Sequence, residues 1–241
     1  MVEIIAEIGI SHGGDMNLLK KMIYSAKECG ANIAKTQLYD PAKLFPSKQI
    51  WVEGTNWYSM VEKTKMSYEQ LGQFFEWCKE ADIEPMASAF DLERVGWLED
   101  YGVRRHKVAS PVNNDTELIE AFFRTNKDIL VSCKRRHNVH AFWQPQNRLN
   151  RISWLYCIPE YPTFFDKLEF DQIGFPGEFQ GFSDHTIGIE ASIVAMSRGA
   201  RIIEKHFTLD RKLPGPDMVC SIEPHELKEL VEWSMKVEEI L

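Results

Sequence analysis

Two histidines frame the stretch of this chain best equipped for chemistry. Ser183-Asp184-His185 closes a short apolar run, residues 187–198 have helical spacing, and Arg201-Ile202-Ile203-Glu204 then runs into Lys205-His206. A strand, a crossover helix and a second strand make a βαβ unit, in which parallel strands bring their C-terminal ends side by side. His185 and His206 are thereby aimed at one spot, where two neutral imidazoles supply half of a shell for a divalent metal. The other reading of such a pair is two unrelated side chains that cap strand ends by hydrogen bonding. The flanking residues favour the metal. Asp184 and Glu204 are placed to orient the rings, and Pro214-Gly215-Pro216-Asp217 forms a stiff loop that presents a carboxylate nearby.

Lysines close two other apolar runs, Lys35 within Ile33-Ala34-Lys35-Thr36-Gln37 and Lys107 within His106-Lys107-Val108-Ala109-Ser110. Lysines at buried strand ends are rare without an anionic partner. Either they form structural ion pairs with Glu7, Glu204 or Asp184, or they hold a small ligand bearing phosphate and carboxylate. The company they keep favours the ligand: the same strand ends carry Glu7, Gln37, Ser88, Ser110, Ser132, Tyr161 and Ser183.

The elements that must position these groups alternate along the chain. Strand-like runs occupy residues 2–8, 33–37, 83–88, 106–110, 128–132 and 153–157, a run ending at Ser183, and residues 201–205. Helical apolar spacing follows at 17–29, 67–81, 92–101, 115–125, 187–198 and 224–241, and Ser67-Tyr68-Glu69-Gln70 has the form of a capping box. Eight strands alternating with helices predict an α/β fold, a (β/α)₈ TIM barrel formed as one domain over residues 1–241. Residues 40–57 read as a long loop, of the kind that often covers a site. Residues 133–151 lack an apolar helix pattern and carry Lys134-Arg135-Arg136-His137.

A net charge of -8 argues against nucleic acid or an anionic membrane surface as the main partner. The five cysteines (Cys29, Cys78, Cys133, Cys157, Cys220) are scattered, odd in number and without CxxC spacing. With no signal-like start and no transmembrane-length run, they read as reduced thiols of a cytoplasmic protein.

Phe-Ser-Asp-His-Thr at 182–186, Glu-Lys-His-Phe-Thr at 204–208 and Pro-Gly-Pro-Asp at 214–217, in register with Ala6-Glu7-Ile8-Gly9, resemble the sialic acid synthases and their pseudaminic and legionaminic acid relatives. The resemblance runs through nearly the whole chain. It implies a phosphoenolpyruvate-dependent transferase that joins the enol to the open-chain aldehyde of an N-acetylated amino sugar and releases phosphate. It also implies His185 and His206 as ligands of a divalent metal, manganese by expectation with magnesium or cobalt as alternatives. Lys35, Ser88, Lys107, Ser110, Ser132 and Ser183 match phosphoenolpyruvate-holding positions. Gln37, Tyr161 and Asp217 match sugar-contacting ones, and Glu7 matches a carboxylate beside the reacting centre.

Four departures concern the sugar side and the lid. Pro111-Val112 follows Ser110 where the family has Gly-Glu, and Cys133-Lys134-Arg135 follows Ser132 where it has Thr-Gly-Met. Pro159 replaces a serine or asparagine, and the chain ends at Leu241, before the antifreeze-like lid domain that the family carries. The acceptor therefore stays open: an N-acetylmannosamine-like sugar, or a sugar phosphate received by Lys134, Arg135 and Arg136, with a turnover-deficient phosphoenolpyruvate-binding barrel as the third reading. A separate lid polypeptide, or a homodimer through barrel surface at Trp97 or Trp233, is the corresponding expectation for partners.

Overall fold

The computed structural model describes residues 2–45, 47–49, 51–52, 55–136 and 151–240, the side chains of 51, 52 and 55 excepted. Eight parallel strands close into a barrel: β1 (Glu3–Gly9), β2 (Ile33–Leu38), β3 (Glu84–Ala89), β4 (Arg105–Val108), β5 (Asp128–Cys133), β6 (Ile152–Tyr156), β7 (Gly181–Asp184) and β8 (Ile202–His206). Each strand pairs with its sequence neighbours, and β8 returns to β1 with Glu7 opposite His206.

The two-residue period of a strand sorts side chains into layers. Ile5, Ile33, Met86, Leu130, Leu155 and Ile202 form an apolar plug inside the barrel. Below it, Arg105 is held by Glu3 and, at 2.8 Å, by Glu84. Two residues above the plug stand Glu7, Lys35, Ser88, Ser132, Cys157 and Glu204, joined from the two remaining strands by Lys107 and Ser183, all buried. One more step upward brings Gln37, His185 and His206. Alternate residues such as Ala6, Ala34 and Ile203 face outward into the larger core beneath the helices.

Those helices are α1 (Met16–Glu28), α2 (Tyr68–Glu80), α3 (Leu92–Asp100), α4 (Thr116–Arg124), α5 (Glu190–Ser197) and α6 (Pro224–Ile240). Asp15, Asp91 and Asp115 cap their first turns, and Ser67 and Gln70 make the reciprocal capping box. Each such cap contributes about 1 kcal/mol by satisfying an otherwise orphaned N–H.

Three readings change. Residues 40–57 are not a structureless loop: Pro41–Leu44 is helical, Trp51–Val52 pairs with Thr55–Asn56, and a helix from Trp57 to Thr64 follows. Ser110 does not end β4; it opens a 3-10 turn, Ser110–Val112, that bends over the strand end. Trp97 and Trp233 are half-buried at the core margin, Trp97 edge-on to Tyr68 and beneath Arg94, so neither is a free aromatic. The basic run continues into His137, which lies outside the described residues, as do residues 138–150.

Candidate active site

A cavity of about 1320 Å³ opens at the C-terminal rim of the barrel. Its lining gathers Glu7, Lys35, Gln37, Ser88, Lys107, Ser110, Ser132, Tyr161, Ser183, His185, His206 and Asp217, the whole set singled out above. They come from all eight strands or the segments just beyond them, which is why so many sequence positions meet in one place.

The floor is an ion network. The Lys35 ammonium lies 2.6 Å from Glu7 Oε2 and 3.5 Å from Glu204 Oε2, and the Lys107 ammonium lies 3.5 Å from Glu204 Oε1. Lys107 donates to Ser132 Oγ at 2.8 Å, Ser183 donates to Glu204 Oε1 at 2.8 Å, and Gln37 Nε2 donates to Glu7 Oε1 at 2.9 Å. Both readings of the lysines are therefore present in one arrangement: they pair with Glu7 and Glu204, though not with Asp184, and they still line the cavity. Ser88 Oγ is buried and has no protein partner, an available hydroxyl for a ligand.

Burial raises the Glu7 pKa against the pull of Lys35, and the neighbouring Glu204 charge adds to the rise. Burial opposes ionisation of Glu204 as well, but two lysines overcome it and hold that carboxyl at about 2. Glu204 thus carries the fixed negative charge of the pair, and Glu7 is the carboxyl closer to exchanging a proton. Burial lowers the Lys107 pKa and would do the same to Lys35, where Glu204 and Glu7 reverse the direction.

The histidines stand above this network with ring centroids 5.4 Å apart. Burial lowers His185 to about 4, and burial, then repulsion that protonated His185 and Lys35 would exert, takes His206 well below the ordinary imidazole range. Both rings are neutral at pH 7, the form that ligates metals. His185 Nδ1 donates to the Ile158 carbonyl at 2.9 Å, which leaves Nε2 as the lone-pair nitrogen. His206 Nδ1 is buried without a hydrogen-bond partner, 3.8 Å from Asp217 Oδ2. Burial, then Glu7, pushes the Asp217 carboxyl up to about 7. Tyr161 stacks on His185, centroids 4.1 Å apart, and closes the cavity on that side.

Asp184 and Glu204, expected to orient the rings, accept no hydrogen bond from either Nδ1. Glu204 faces inward but serves Lys35, Lys107 and Ser183, and Asp184 faces outward, paired with Lys205 at 3.2 Å. A backbone carbonyl, which leaves no signal in a sequence, orients His185 instead. Glu204 as the hub of the floor was legible in principle, because it stands two residues before His206 on the same strand face. The apolar side of the mouth was legible only in part: Phe45 and Trp57 belong to the segment expected to cover a site, and Met60 to a helix that followed it unmarked. Lys134 and Arg135 are held by Glu169, and Arg136 stacks on Trp154; none of the three lines the cavity.

Among the described residues no helix is long and apolar enough to cross a membrane. The chain is 30% identical to the N,N'-diacetyllegionaminic acid synthase of Campylobacter jejuni, over 94% of its own length and 73% of the relative's. It is 31% identical to the N-acetylneuraminate-9-phosphate synthase of Homo sapiens, over 99% of its length and 70% of the relative's. Its fold superposes on the crystal structure of N-acetylneuraminic acid synthetase from Leptospira borgpetersenii serovar Hardjo-bovis in complex with citrate. That match has a TM-score of 0.84 at 28% identity and covers 99% of this chain and 84% of the other. Residues 22–241 match the NeuB family, so the barrel, its rim motifs and its relatives agree: the chain belongs to the NeuB family of phosphoenolpyruvate-dependent condensing enzymes.

Proposed function

We propose that this barrel joins phosphoenolpyruvate to the open-chain aldehyde of an N-acetylated amino sugar, giving a nonulosonic acid and inorganic phosphate. One observation carries the reading: two buried lysines and a ring of hydroxyls share a cavity with two neutral, converging imidazoles.

Lys35 and Lys107 neutralise the anionic ends of phosphoenolpyruvate, with Ser88 and Ser132 supplying oriented donors. This fixes carbon 3 toward the acceptor and removes the orientational cost of a two-substrate reaction. The new bond forms from carbon 3 to the aldehyde carbon, water adds at carbon 2, and phosphate departs from that carbon. Glu7, held in place by Gln37 and poised by burial, accepts or returns the proton of that water. Glu204, bridging the two lysines, compensates their charge between turnovers.

The residues present fit a divalent cation, manganese in this reading. His185 Nε2 has a fixed lone pair, and His206 brings a buried nitrogen without a partner beside the Asp217 carboxylate. Among the described residues no three such donors form a ready cage, so substrate and water oxygens would complete the shell. Bound there, the ion would supply Lewis-acid polarisation of the aldehyde oxygen.

For the acceptor, the apolar wall of Phe45, Trp57, Met60 and Pro111 suits acyl methyl groups. The ion pairs of the nearby cations favour an unphosphorylated acceptor over a sugar phosphate. Lys134 and Arg135 are committed to Glu169, and Arg211, which does reach the cavity lining, is paired with Glu226 at 3.1 Å.

The test is phosphate release from phosphoenolpyruvate with manganese across N-acetylmannosamine, its 6-phosphate, a diacetamido-trideoxy hexose and simple aldose phosphates, repeated with His206→Ala. Release with an unphosphorylated acetamido sugar, abolished in the variant, is the expected result. No release with any acceptor, or release that survives in His206→Ala, would overturn the reading.

A further inference from the structure

The two histidines belong to adjacent strands, and the residues beside them on the outer face meet as well. Asp184 and Lys205 are register partners in the β7–β8 pairing, both wholly buried between barrel and helix, with Lys205 Nζ 3.2 Å from Asp184 Oδ2. The pair converges on Thr186, the residue that follows His185. Asp184 Oδ1 accepts the Thr186 N–H at 2.7 Å, and Lys205 Nζ donates to the Thr186 carbonyl at 2.5 Å. The remaining Asp184 oxygen accepts the Ser192 hydroxyl at 2.6 Å, tying the arrangement to α5. His185 is further fixed by its own carbonyl, which accepts the Thr163 N–H at 2.9 Å.

We propose that Asp184 and Lys205 are positioning residues for the histidine pair: an ion pair on the outer face of the barrel that clamps both backbone groups of Thr186 and so sets how His185 and His206 face each other inside. The inference rests on the metal reading above and extends it to residues that touch neither substrate nor ion. A strand end leaves its last amide and carbonyl without ladder partners, and a histidine there is only as well placed as the next peptide. Burying a lysine and an aspartate fully is costly in stability, and an apolar pair of similar volume would fill the space with less loss. What an apolar pair lacks is a donor for the Thr186 carbonyl and an acceptor for its N–H. Groups one step removed from metal ligands change metal affinity by about 10- to 100-fold when removed.

The experiment separates positioning from stability. Lys205→Met removes the clamp on the Thr186 carbonyl and strands the Asp184 charge. Adding Asp184→Asn removes that charge while keeping the Thr186 N–H and Ser192 contacts. Binding of Mn²⁺ alone, followed by the electron paramagnetic resonance of the free ion, is compared with thermal stability for wild type, single and double variants.

Positioning predicts Mn²⁺ affinity reduced about tenfold or more in both variants, with stability substantially restored in the double. Phosphoenolpyruvate binding without metal should stay within about twofold of wild type, because Lys35, Lys107 and Ser132 lie on other strands. If Lys205→Met does not fold, the double variant carries the comparison. Mn²⁺ affinity within twofold of wild type in a folded variant, or affinity that recovers together with stability in the double, would overturn the clamp. A wild type that binds no Mn²⁺ would overturn the metal reading and the clamp with it, a distinguishable result.

Discussion

Replacing Glu204 by glutamine should lower stability and strengthen phosphoenolpyruvate binding at the same time. Glu204 sits 3.5 Å from both lysines, and Glu7 and Glu204 together balance Lys35 and Lys107. At an effective dielectric constant of about 20, each such contact corresponds to about 5 kcal/mol of Coulomb attraction, much of it offset by the cost of burying the charges. Measured losses on breaking one partner of a buried pair run at about 3–5 kcal/mol. Glutamine keeps the acceptor for the Ser183 hydroxyl, so the lower end, about 3 kcal/mol, is expected. For a domain of this length that is a fall in melting temperature of about 6–12 °C. The variant cavity then carries excess positive charge, and the trianionic substrate should bind about tenfold more tightly, equivalent to about 1.4 kcal/mol. Thermal melts in metal-free buffer, with and without phosphoenolpyruvate, read both effects. A larger ligand-induced stabilisation on a lower baseline is expected. An unchanged baseline, or ligand protection smaller than in wild type, would refute the assignment of Glu204 as the charge that holds the lysines for their substrate.

Three further outcomes follow from other parts of the molecule. His12 is buried and accepts the Gly14 N–H on Nδ1, and burial lowers its pKa to about 4. The unfolded chain therefore binds the proton first: the contribution of His12 is complete above pH 6.5 and declines as pH falls from there towards 4. Urea unfolding at pH 7.5 and pH 5 should show about 2 kcal/mol less pH dependence in His12→Asn than in wild type; equal slopes would contradict this. Lys134→Ala combined with Arg135→Ala should leave the Michaelis constant for the acceptor within about twofold, since both cations serve Glu169, and a tenfold rise would put them back in the site. Gly181→Ala would place a Cβ 2.3 Å from the Ile202 carbonyl oxygen and 2.6 Å from Leu155 Cδ2, a clash with backbone that cannot rotate away. A loss of about 3 kcal/mol is expected in denaturant titrations, and a neutral result would show that β7 can shift within the plug.

The alternation of strand and helix was written in local patterns, and the barrel followed from it. Eight strand-like runs separated by helical spacing call for a parallel sheet covered by helices, and Ser67 with Gln70 announced one helix start. The roster of site residues was legible for the same reason: a parallel barrel sends every strand's C-terminal end to one rim, so Lys35, Lys107, His185 and His206 had a common destination before any distance was known. What the sequence could not assign was the partner. Asp184 stands one residue before His185 and Glu204 two before His206, so the two-residue period turns the first outward and the second inward, but only the fold pairs them with Lys205 and with Lys35 and Lys107. His185 is oriented by the carbonyl of Ile158, a group every residue has, and Lys134 and Arg135 are neutralised by Glu169, more than thirty positions away. Residue types and their spacing determined which chemistry this chain gathers. Only the closed barrel decided which charges compensate one another, because that depends on contacts between strands and loops remote in sequence.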